Sequence, residues 1–247
     1  MNVAARKQAA RKNAMPPAAP KTSAALPSAA ERAAWPSAAR WVPEDHSLPA
    51  LEAAVAGCRG CDLWRDSTQA VFGSGPPHAA IMLVGEQPGD REDLAGEPFV
   101  GPAGALLDRA LADAGIEPDS VFRTNAVKHF RHVDKGHKRI HKTPSGWHVA
   151  QCQPWLLAEL DAVRPRTVVL LGATAGQSVF GQRFTVGDHR GRAMAWPEGA
   201  GPRPEQVFVT VHPASVLRSR NRQEDYDAFV TDLRLVARSP VGPPRGG

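Results

Sequence analysis

Short apolar runs alternate with longer segments of helical period along most of the chain. Four segments have the length and composition of strands, and they occupy residues 79–84, 121–127, 167–171 and 207–211. Apolar residues recur every three to four positions in the segments around them, which predicts helices. Strands that alternate with helices are typical of an α/β fold with a mainly parallel sheet. The predicted helices cover residues 48–56, 101–115, 145–163, 173–180 and about 223–237.

Polar segments follow three of the four predicted strands. Residues 85–93 read Gly-Glu-Gln-Pro-Gly-Asp-Arg-Glu-Asp after the first strand, and residues 212–218 read His-Pro-Ala-Ser-Val-Leu-Arg after the fourth. Residues 128–144 follow the second strand and are strongly basic. Because the carboxyl ends of parallel strands share one edge of a sheet, we expect the three segments to meet in one cleft.

The basic segment 128–144 has no sustained apolar period, so we expect a loop there. A basic loop alone indicates either a solvated surface or a phosphate contact. A nucleophile or a ligand within it needs support from elsewhere in the chain. The segment contains one acid, Asp134, six bases, Lys128, Arg131, Lys135, Lys138, Arg139 and Lys142, and four histidines, His129, His132, His137 and His141.

The composition indicates one large folded domain with a basic extension. The chain has 247 residues, 42% of them hydrophobic, which is enough for a sizeable core. Residues 1–43 are rich in Ala and Pro and contain seven bases and one acid, so the net charge of +5 comes from this segment. We expect residues 1–43 to be a disordered tail, residues 44–240 to fold, and residues 241–247 to be a disordered end.

Neither a membrane span nor a secretory signal is expected. No apolar run approaches the roughly 20 residues that cross a bilayer, and the N-terminal segment lacks an apolar h-region. The sequence therefore predicts a cytoplasmic protein without a membrane partner.

The chain contains three cysteines, Cys58, Cys61 and Cys152. An odd number, without a secretion signal, argues against a disulfide framework. The spacing Cys58-Arg-Gly-Cys61 lets two thiolates bind one metal centre, and no thioredoxin-like pattern surrounds it to favour redox use. Spacing alone leaves Cys152 as either a third ligand or a buried structural thiol.

Five segments in order carry a resemblance to a known family. They are residues 85–90 (Gly-Glu-Gln-Pro-Gly-Asp), 97–104 (Glu-Pro-Phe-Val-Gly-Pro-Ala-Gly), 124–129 (Thr-Asn-Ala-Val-Lys-His), 138–144 (Lys-Arg-Ile-His-Lys-Thr-Pro) and 212–218. Together they resemble the uracil-DNA glycosylase superfamily, its iron–sulfur, family 4-like branch and, through Lys-Arg-Ile-His, the UdgX type. The resemblance spans about residues 50–238 and implies a three-layer α/β/α fold with a central, mainly parallel four-stranded sheet.

The resemblance also implies an activity and a nucleophile. Such an enzyme excises uracil from single- or double-stranded DNA, and in UdgX-type proteins the histidine that matches His141 becomes covalently attached to the abasic sugar. A neutral imidazole is a better nucleophile than water, so a single-turnover reaction follows from this match. Glu86 would either hold the tautomer of His141 or, as in hydrolytic relatives, direct water. His212 would stabilise the departing uracil anion.

Further roles carry over by the same match. Gly85, Gln87, Phe99 and Asn125 would form the uracil pocket, with Phe99 stacking on the extruded base and Asn125 reading its edge. Lys138 and Arg139 would support the loop, while Ser215 and Arg218 would meet the DNA. The narrower motif places Ser directly after His-Pro, whereas this chain has Ala214 first, which leaves the role of Ser215 open. We expect a monomer.

Relatives in the iron–sulfur branch hold a [4Fe–4S] cluster with four cysteines, but this chain has three. His129 stands where those relatives have the remaining cysteine. The resemblance therefore implies Cys58, Cys61, His129 and Cys152 as ligands of a [4Fe–4S] cluster. On ligand types alone, zinc in a Cys₃His site is the alternative.

Two other functions stay open at this point. The first is a conventional, multiple-turnover uracil-DNA glycosylase in which Glu86 directs water and His141 only lines the pocket. The second is a non-catalytic module that binds or senses uracil in DNA, which predicts binding without release of free uracil.

Overall fold

The computed structural model describes residues 26–199, 201 and 204–239, and its centre is a four-stranded sheet. Every neighbouring pair of strands is parallel, so all four strands end at the same edge. The strands are β1 (Ile81–Gly85), β2 (Phe122–Asn125), β5 (Thr167–Leu171) and β6 (Gln206–Thr210). Their spatial order is β2-β1-β5-β6.

Helices cover both faces of this sheet. None of the described helices is both long enough and apolar enough to cross a membrane. In the described ranges the helices are α1 (Ala29–Ala34), α2 (Leu48–Val55), α3 (Asp90–Ala95), α4 (Pro102–Asp113), α5 (Gly146–Val163), α6 (Ala173–Phe180), α7 (Pro213–Arg218) and α8 (Arg222–Arg238).

Side chains of the sheet alternate between two cores, as the period of two along a strand requires. On one face Leu83 and Val169 pack against α4, α7 and α8. On the other face Met82 and Val168 pack against α5 and α6. The prediction of an α/β fold with three layers and a parallel four-stranded sheet is confirmed.

The centre of the basic segment 128–144 is a hairpin, so the prediction of an irregular loop was wrong there. Strands β3 (His132–Lys135) and β4 (Lys138–His141) pair antiparallel, with His132 opposite His141. Gly136, with a φ of 62°, and His137 form the two-residue turn. Sequence pattern could not reveal these strands because neither face enters the core, and a polar hairpin lacks an apolar period.

Described residues on the N-terminal side of the expected boundary at residue 44 form regular structure. Ser28 caps α1 through a reciprocal capping box with Glu31. Ala38 is buried against Gly60, where an added Cβ would lie 2.6 Å from the Ala38 Cβ. This segment therefore packs over the Cys58–Cys61 turn. The expected disorder of residues 1–25 and 241–247 lies outside the described residues.

A fully buried ion pair joins α5 to the end of β2. Lys128 and Glu159 are both 0% exposed, and Lys128 Nζ lies 2.6 Å from Glu159 Oε2. Lys128 Nζ also donates to Thr124 Oγ1 and to the Asn125 carbonyl, at 2.6 and 2.8 Å. The Gly73 N–H donates to Glu159 Oε1 at 3.1 Å. Lys128 therefore belongs to the interior rather than to the basic surface.

Removing one member of this pair should destabilise the fold strongly. Glu159→Leu leaves the buried Lys128 ammonium without its counter-charge and Gly73 without its acceptor. We expect the free energy of unfolding to fall by about 3–5 kcal/mol in urea denaturation followed by circular dichroism. The control is Asp161→Asn on the same helix, which breaks the exposed pair with His46 and should cost less than about 1 kcal/mol. Equal losses for the two variants would contradict this account.

Candidate functional site

The carboxyl edge of the sheet brings the three polar segments together, as expected. Gly85 ends β1 and lies beside Asn125 at the end of β2. A Cβ on Gly85 would lie 2.3 Å from Asn125 Oδ1 and 2.7 Å from Phe99 Cζ. Only glycine fits where these two side chains converge. Gly85, Phe99 and Asn125 therefore share the floor of one cleft.

Asn125 presents a buried amide to this cleft. The residue is 3% exposed. Its backbone carbonyl is held by Lys128 Nζ. An amide fixed in this way offers one donor and one acceptor to a bound molecule.

Phe99 adopts a conformation that is rare for a non-glycine residue. Its φ is 61°, which costs an L-residue roughly 1–2 kcal/mol. The Phe99 backbone packs closely against Gly104: a Cβ on Gly104 would lie 1.6 Å from the Phe99 carbonyl oxygen. The Phe99 ring lies nearly parallel to the His212 ring, with centroids 6.5 Å apart and an interplanar angle of 23°. Such strain is typical of binding sites.

His212 precedes α7 and has a defined tautomer. The Ala214 N–H donates to His212 Nδ1 at 3.2 Å, so in the neutral ring the proton is on Nε2. Burial first, and then the nearby His141 and Arg218, lower the pKa of His212 to about 4. At neutral pH the ring is therefore an uncharged N–H donor.

His141 lies at the end of β4 and faces Glu86. Its Nε2 is 3.4 Å from Glu86 Oε1, and 49% of its side chain is exposed. Thr174 Oγ1 donates to the other Glu86 oxygen, Oε2, and so fixes that carboxylate. Burial lowers the pKa of His141 and Arg218 adds to this, whereas Glu86 opposes it. His141 is therefore a neutral, accessible imidazole beside a carboxylate that can take its proton.

Arg139 fastens the hairpin to α3. Arg139 Nε donates to Asp90 Oδ1 at 2.6 Å, and Arg139 Nη1 donates to the fully buried Asp93 carboxylate. Asp93 also accepts the Thr68 N–H. Because Arg139 is two residues before His141, these bonds restrict the position of the imidazole. The role predicted for Arg139 as a loop support fits this geometry.

Gln87 closes the base of the same hairpin. Its Nε2 donates to the carbonyls of Arg131 and Lys142, at 3.2 and 3.1 Å, and its Oε1 accepts the Arg131 N–H at 3.0 Å. The residue is buried. Gln87 was expected to contact uracil through its backbone or its side chain. The two ends of the hairpin engage the side chain, so contact with a base would fall to the backbone of Gln87.

The residues expected to meet DNA lie at the rim. Lys138 and Arg218 are exposed, and Ser215 is exposed with its Oγ donating to the His212 carbonyl at 2.7 Å. Ser215 therefore stabilises the first turn of α7 in this structure. Thr174 and the paired acids Asp90 and Asp93 are site residues that sequence reasoning missed. The two acids lie in the polar segment after β1, but their partner Arg139 is 46 and 49 residues away, and Thr174 is 88 residues from Glu86.

The three cysteines lie in one buried cluster with Trp155 and Val127. The Lys128 N–H donates to Cys152 Sγ at 3.2 Å, and Trp155 Nε1 donates to Cys58 Sγ at 3.1 Å. Burial, reinforced by Cys152, raises the pKa of Cys61 well above its ordinary value. Burial raises the pKa of Cys152 to about 12.

His129 follows Lys128 and is also buried, and burial lowers its pKa to about 4. Among the described residues no three His, Cys, Asp or Glu side chains are arranged to hold a metal ion. The donors nevertheless fit a metal centre chemically, since they comprise three thiols and a neutral imidazole. N–H groups that donate to sulfur are typical around iron–sulfur clusters.

Comparison with known proteins connects this geometry to a family. Residues 72–234 match the model of the uracil DNA glycosylase superfamily. A type-4 uracil-DNA glycosylase of Sulfurisphaera tokodaii is 34% identical over 199 residues, which cover 78% of this chain and 86% of that protein. One from Archaeoglobus fulgidus is 34% identical over 185 residues, 74% and 89% of the two chains. One from Thermotoga maritima is 35% identical over 170 residues, 68% and 82% of the two chains.

The charge state of His212 can be measured directly. We expect an NMR titration, assigned with His212→Gln, to give a midpoint near pH 4 rather than near 6.5. Because the pKa is lowered on folding, the stability that this group contributes is present above about pH 6.5 and is lost as the pH falls toward 4. Between pH 7 and 4 the wild type should therefore lose more stability than His212→Gln. A midpoint at or above 6.5 would refute the neutral state.

Proposed function

The chain belongs to the uracil DNA glycosylase superfamily, and from that premise we propose that it excises uracil from DNA and keeps the abasic sugar bound to His141. The type-4 uracil-DNA glycosylases that match most of this chain support the excision step. The observation that carries the covalent step is the neutral His141 imidazole beside Glu86, at the mouth of the cleft.

Selection of uracil would depend on Asn125 and Phe99. The edge of uracil offers an acceptor next to a donor, and the Asn125 amide can complement both. Cytosine offers the reverse order and would leave the buried amide unpaired. The Phe99 ring would stack on the extruded base. Gly85 lets the Asn125 and Phe99 side chains converge on that base because it has no side chain of its own.

Departure of uracil would depend on His212. As the C1′–N1 bond breaks, its electron pair goes to uracil and negative charge develops on the ring oxygens. The Nε2–H of neutral His212 would donate to one of those oxygens and favour the anion as it forms. A neutral donor does so without protonating the base fully.

Capture of the sugar would depend on His141. A lone pair of its imidazole forms a bond to C1′ of the oxocarbenium-like sugar, and the ring proton passes to Glu86. The product is an N-glycoside of imidazole, whose leaving group is not easily protonated, so the adduct should persist. Each protein molecule would therefore act once, and repair would begin from a protein-marked abasic site. The exposed Lys138 and Arg218 would hold DNA phosphates near this position.

A hydrolytic uracil-DNA glycosylase is the second candidate, and it is favoured by the names of the relatives and by the fixed Glu86 carboxylate. In that case Glu86 would orient water and His141 would line the pocket. A uracil-binding module without catalysis is the third candidate. The candidates differ in products: a covalent adduct, free uracil over many turnovers, or neither.

A metal cofactor is the remaining part of the proposal. Cys58, Cys61, Cys152 and His129 would hold a [4Fe–4S] cluster, and coordination would deprotonate thiols whose pKa burial otherwise raises. The cluster would tie the Cys58–Cys61 turn to α5 and to the end of β2. We assign it a structural role, since none of the proposed reaction steps requires electron transfer.

Replacing the nucleophile should separate the candidates. We expect His141→Ala to abolish the adduct that survives boiling in detergent, while binding to uracil-containing single-stranded DNA changes less than threefold. The matched control is His137→Ala, which removes the exposed histidine of the hairpin turn and should form adduct at the wild-type rate. Adduct formation by His141→Ala would show that the nucleophile is another group.

The metal can be identified on purified protein without an activity assay. We expect brown protein with broad visible absorption and about four irons per chain. Cys152→Ser should lose the colour and most of the iron. A colourless protein that contains one zinc per chain would contradict the cluster.

A further inference from the structure

An exposed ladder of tryptophans and arginines lies next to the Cys58–Cys61 turn. Arg59 is over the Trp64 ring at 4.5 Å, and Arg65 lies 5.9 Å from Trp64 and 4.9 Å from Trp35. We call Trp35, Arg59, Trp64 and Arg65 the Trp–Arg ladder. Both arginines are exposed and both tryptophans are half-buried.

Carboxylates balance the charge of the ladder only in part within the described part of the chain. Neither Arg59 nor Arg65 forms an ion pair with a described residue. Hydrogen bonds from Ser28 and, less strongly, the charge of Arg65 lower the pKa of the nearby Glu31, and Asp62 is engaged by His148. Two guanidinium groups that form no ion pair and alternate with indole rings are the components of a single-strand nucleic-acid platform. Bases stack on both kinds of plane, and the charges attract phosphates.

Two chain paths connect the ladder to the hairpin that carries His141. Arg65 is three residues before Thr68, and Thr68 Oγ1 accepts from Arg139 at 3.2 Å. On the other path, Trp147 follows His141 by six residues and its ring meets Trp35 edge-on at 6.0 Å. The six residues from His141 to Trp147 span at most about 20 Å. A single strand with a stacked spacing of about 3.4 Å per nucleotide would cover that distance with at most roughly six nucleotides.

Local contacts also hold the ladder in a fixed place. Trp35 Nε1 donates to the Arg59 carbonyl at 2.9 Å. The fully buried His148 joins Asp62 to Ser145, which caps α5 directly after the hairpin. Ser67 Oγ donates to the Phe130 carbonyl at 3.2 Å. The segment that bears Trp64 and Arg65 is thus bound to the same framework as the nucleophile.

We propose that the Trp–Arg ladder binds the single strand of DNA on one side of the target uracil. This inference rests on the proposed function and extends it, because it assigns a second contact surface outside the uracil pocket. The partner is a flexible single strand, since stacking on indole and guanidinium planes requires unpaired bases. The surface selects DNA with a flank of several nucleotides and is indifferent to the sequence of that flank.

The test measures the second-order rate constant for uracil release with protein in excess. The substrates are single strands with two nucleotides on each side of the uracil, and the same strands extended by eight nucleotides on the 5′ or the 3′ side. For the wild type we expect extension on one side to raise the rate constant about tenfold. Arg59→Gln/Arg65→Gln should lose this gain and keep the wild-type rate on the short substrate. Its salt slope on the long substrate should fall by about 1.4, for two phosphate contacts.

Two further variants distinguish DNA contact from a structural role. Arg183→Gln, at an exposed arginine after the far end of α6, should keep the full gain from extension. Trp64→Ala should lose the gain, and Trp64→Phe should restore most of it because a stacking plane returns. Equal wild-type rates on all substrates would overturn the inference, as would ladder variants that lose rate equally on short and long substrates. Absence of uracil release from every substrate would instead refute the proposed function.

Discussion

The buried contact between Lys128 and Glu159 is the interaction on which the rest of the structure depends. The Lys128 side chain holds the Asn125 carbonyl, while its backbone N–H meets Cys152. One residue therefore joins the end of β2, the cysteine-bearing helix α5 and the floor of the cleft. Two charges in the interior are tolerated only when hydrogen bonds satisfy both groups, and Thr124 and Gly73 complete that set.

The hairpin is the second constraint, and it is held from outside the core. It has no apolar face to bury, so its position depends on Gln87 at its base and on Arg139 bonded to Asp90 and Asp93. This arrangement suits a reactive histidine. His141 stays accessible, yet its backbone is fixed on both sides, and the lowered pKa keeps its ring neutral. The cleft and the hairpin together bring two uncharged imidazoles close to each other, and in the proposed reaction His212 would donate a hydrogen bond while His141 would supply a lone pair.

Local pattern and motif order were enough to predict the strands, the parallel sheet and the residues at its edge. Pattern failed where partners are distant or where no face is buried. The sequence places Lys128 among the surface bases, because nothing near it indicates that it forms a buried ion pair with Glu159. The hairpin lacks an apolar period, so its sequence predicts a loop, and nothing near Gln87 in sequence indicates that the hairpin engages its side chain. The Trp–Arg ladder is not visible in the sequence as a unit, since Trp35 joins Arg59, Trp64 and Arg65 only in the folded chain.

Mass spectrometry of the wild-type protein after incubation with uracil-containing single-stranded DNA tests the central claim most directly. The account predicts one protein species heavier by the DNA strand minus uracil. After digestion with protease and nuclease, the added deoxyribose phosphate should map to His141. Unmodified protein, together with several molecules of free uracil released per protein molecule, would contradict it.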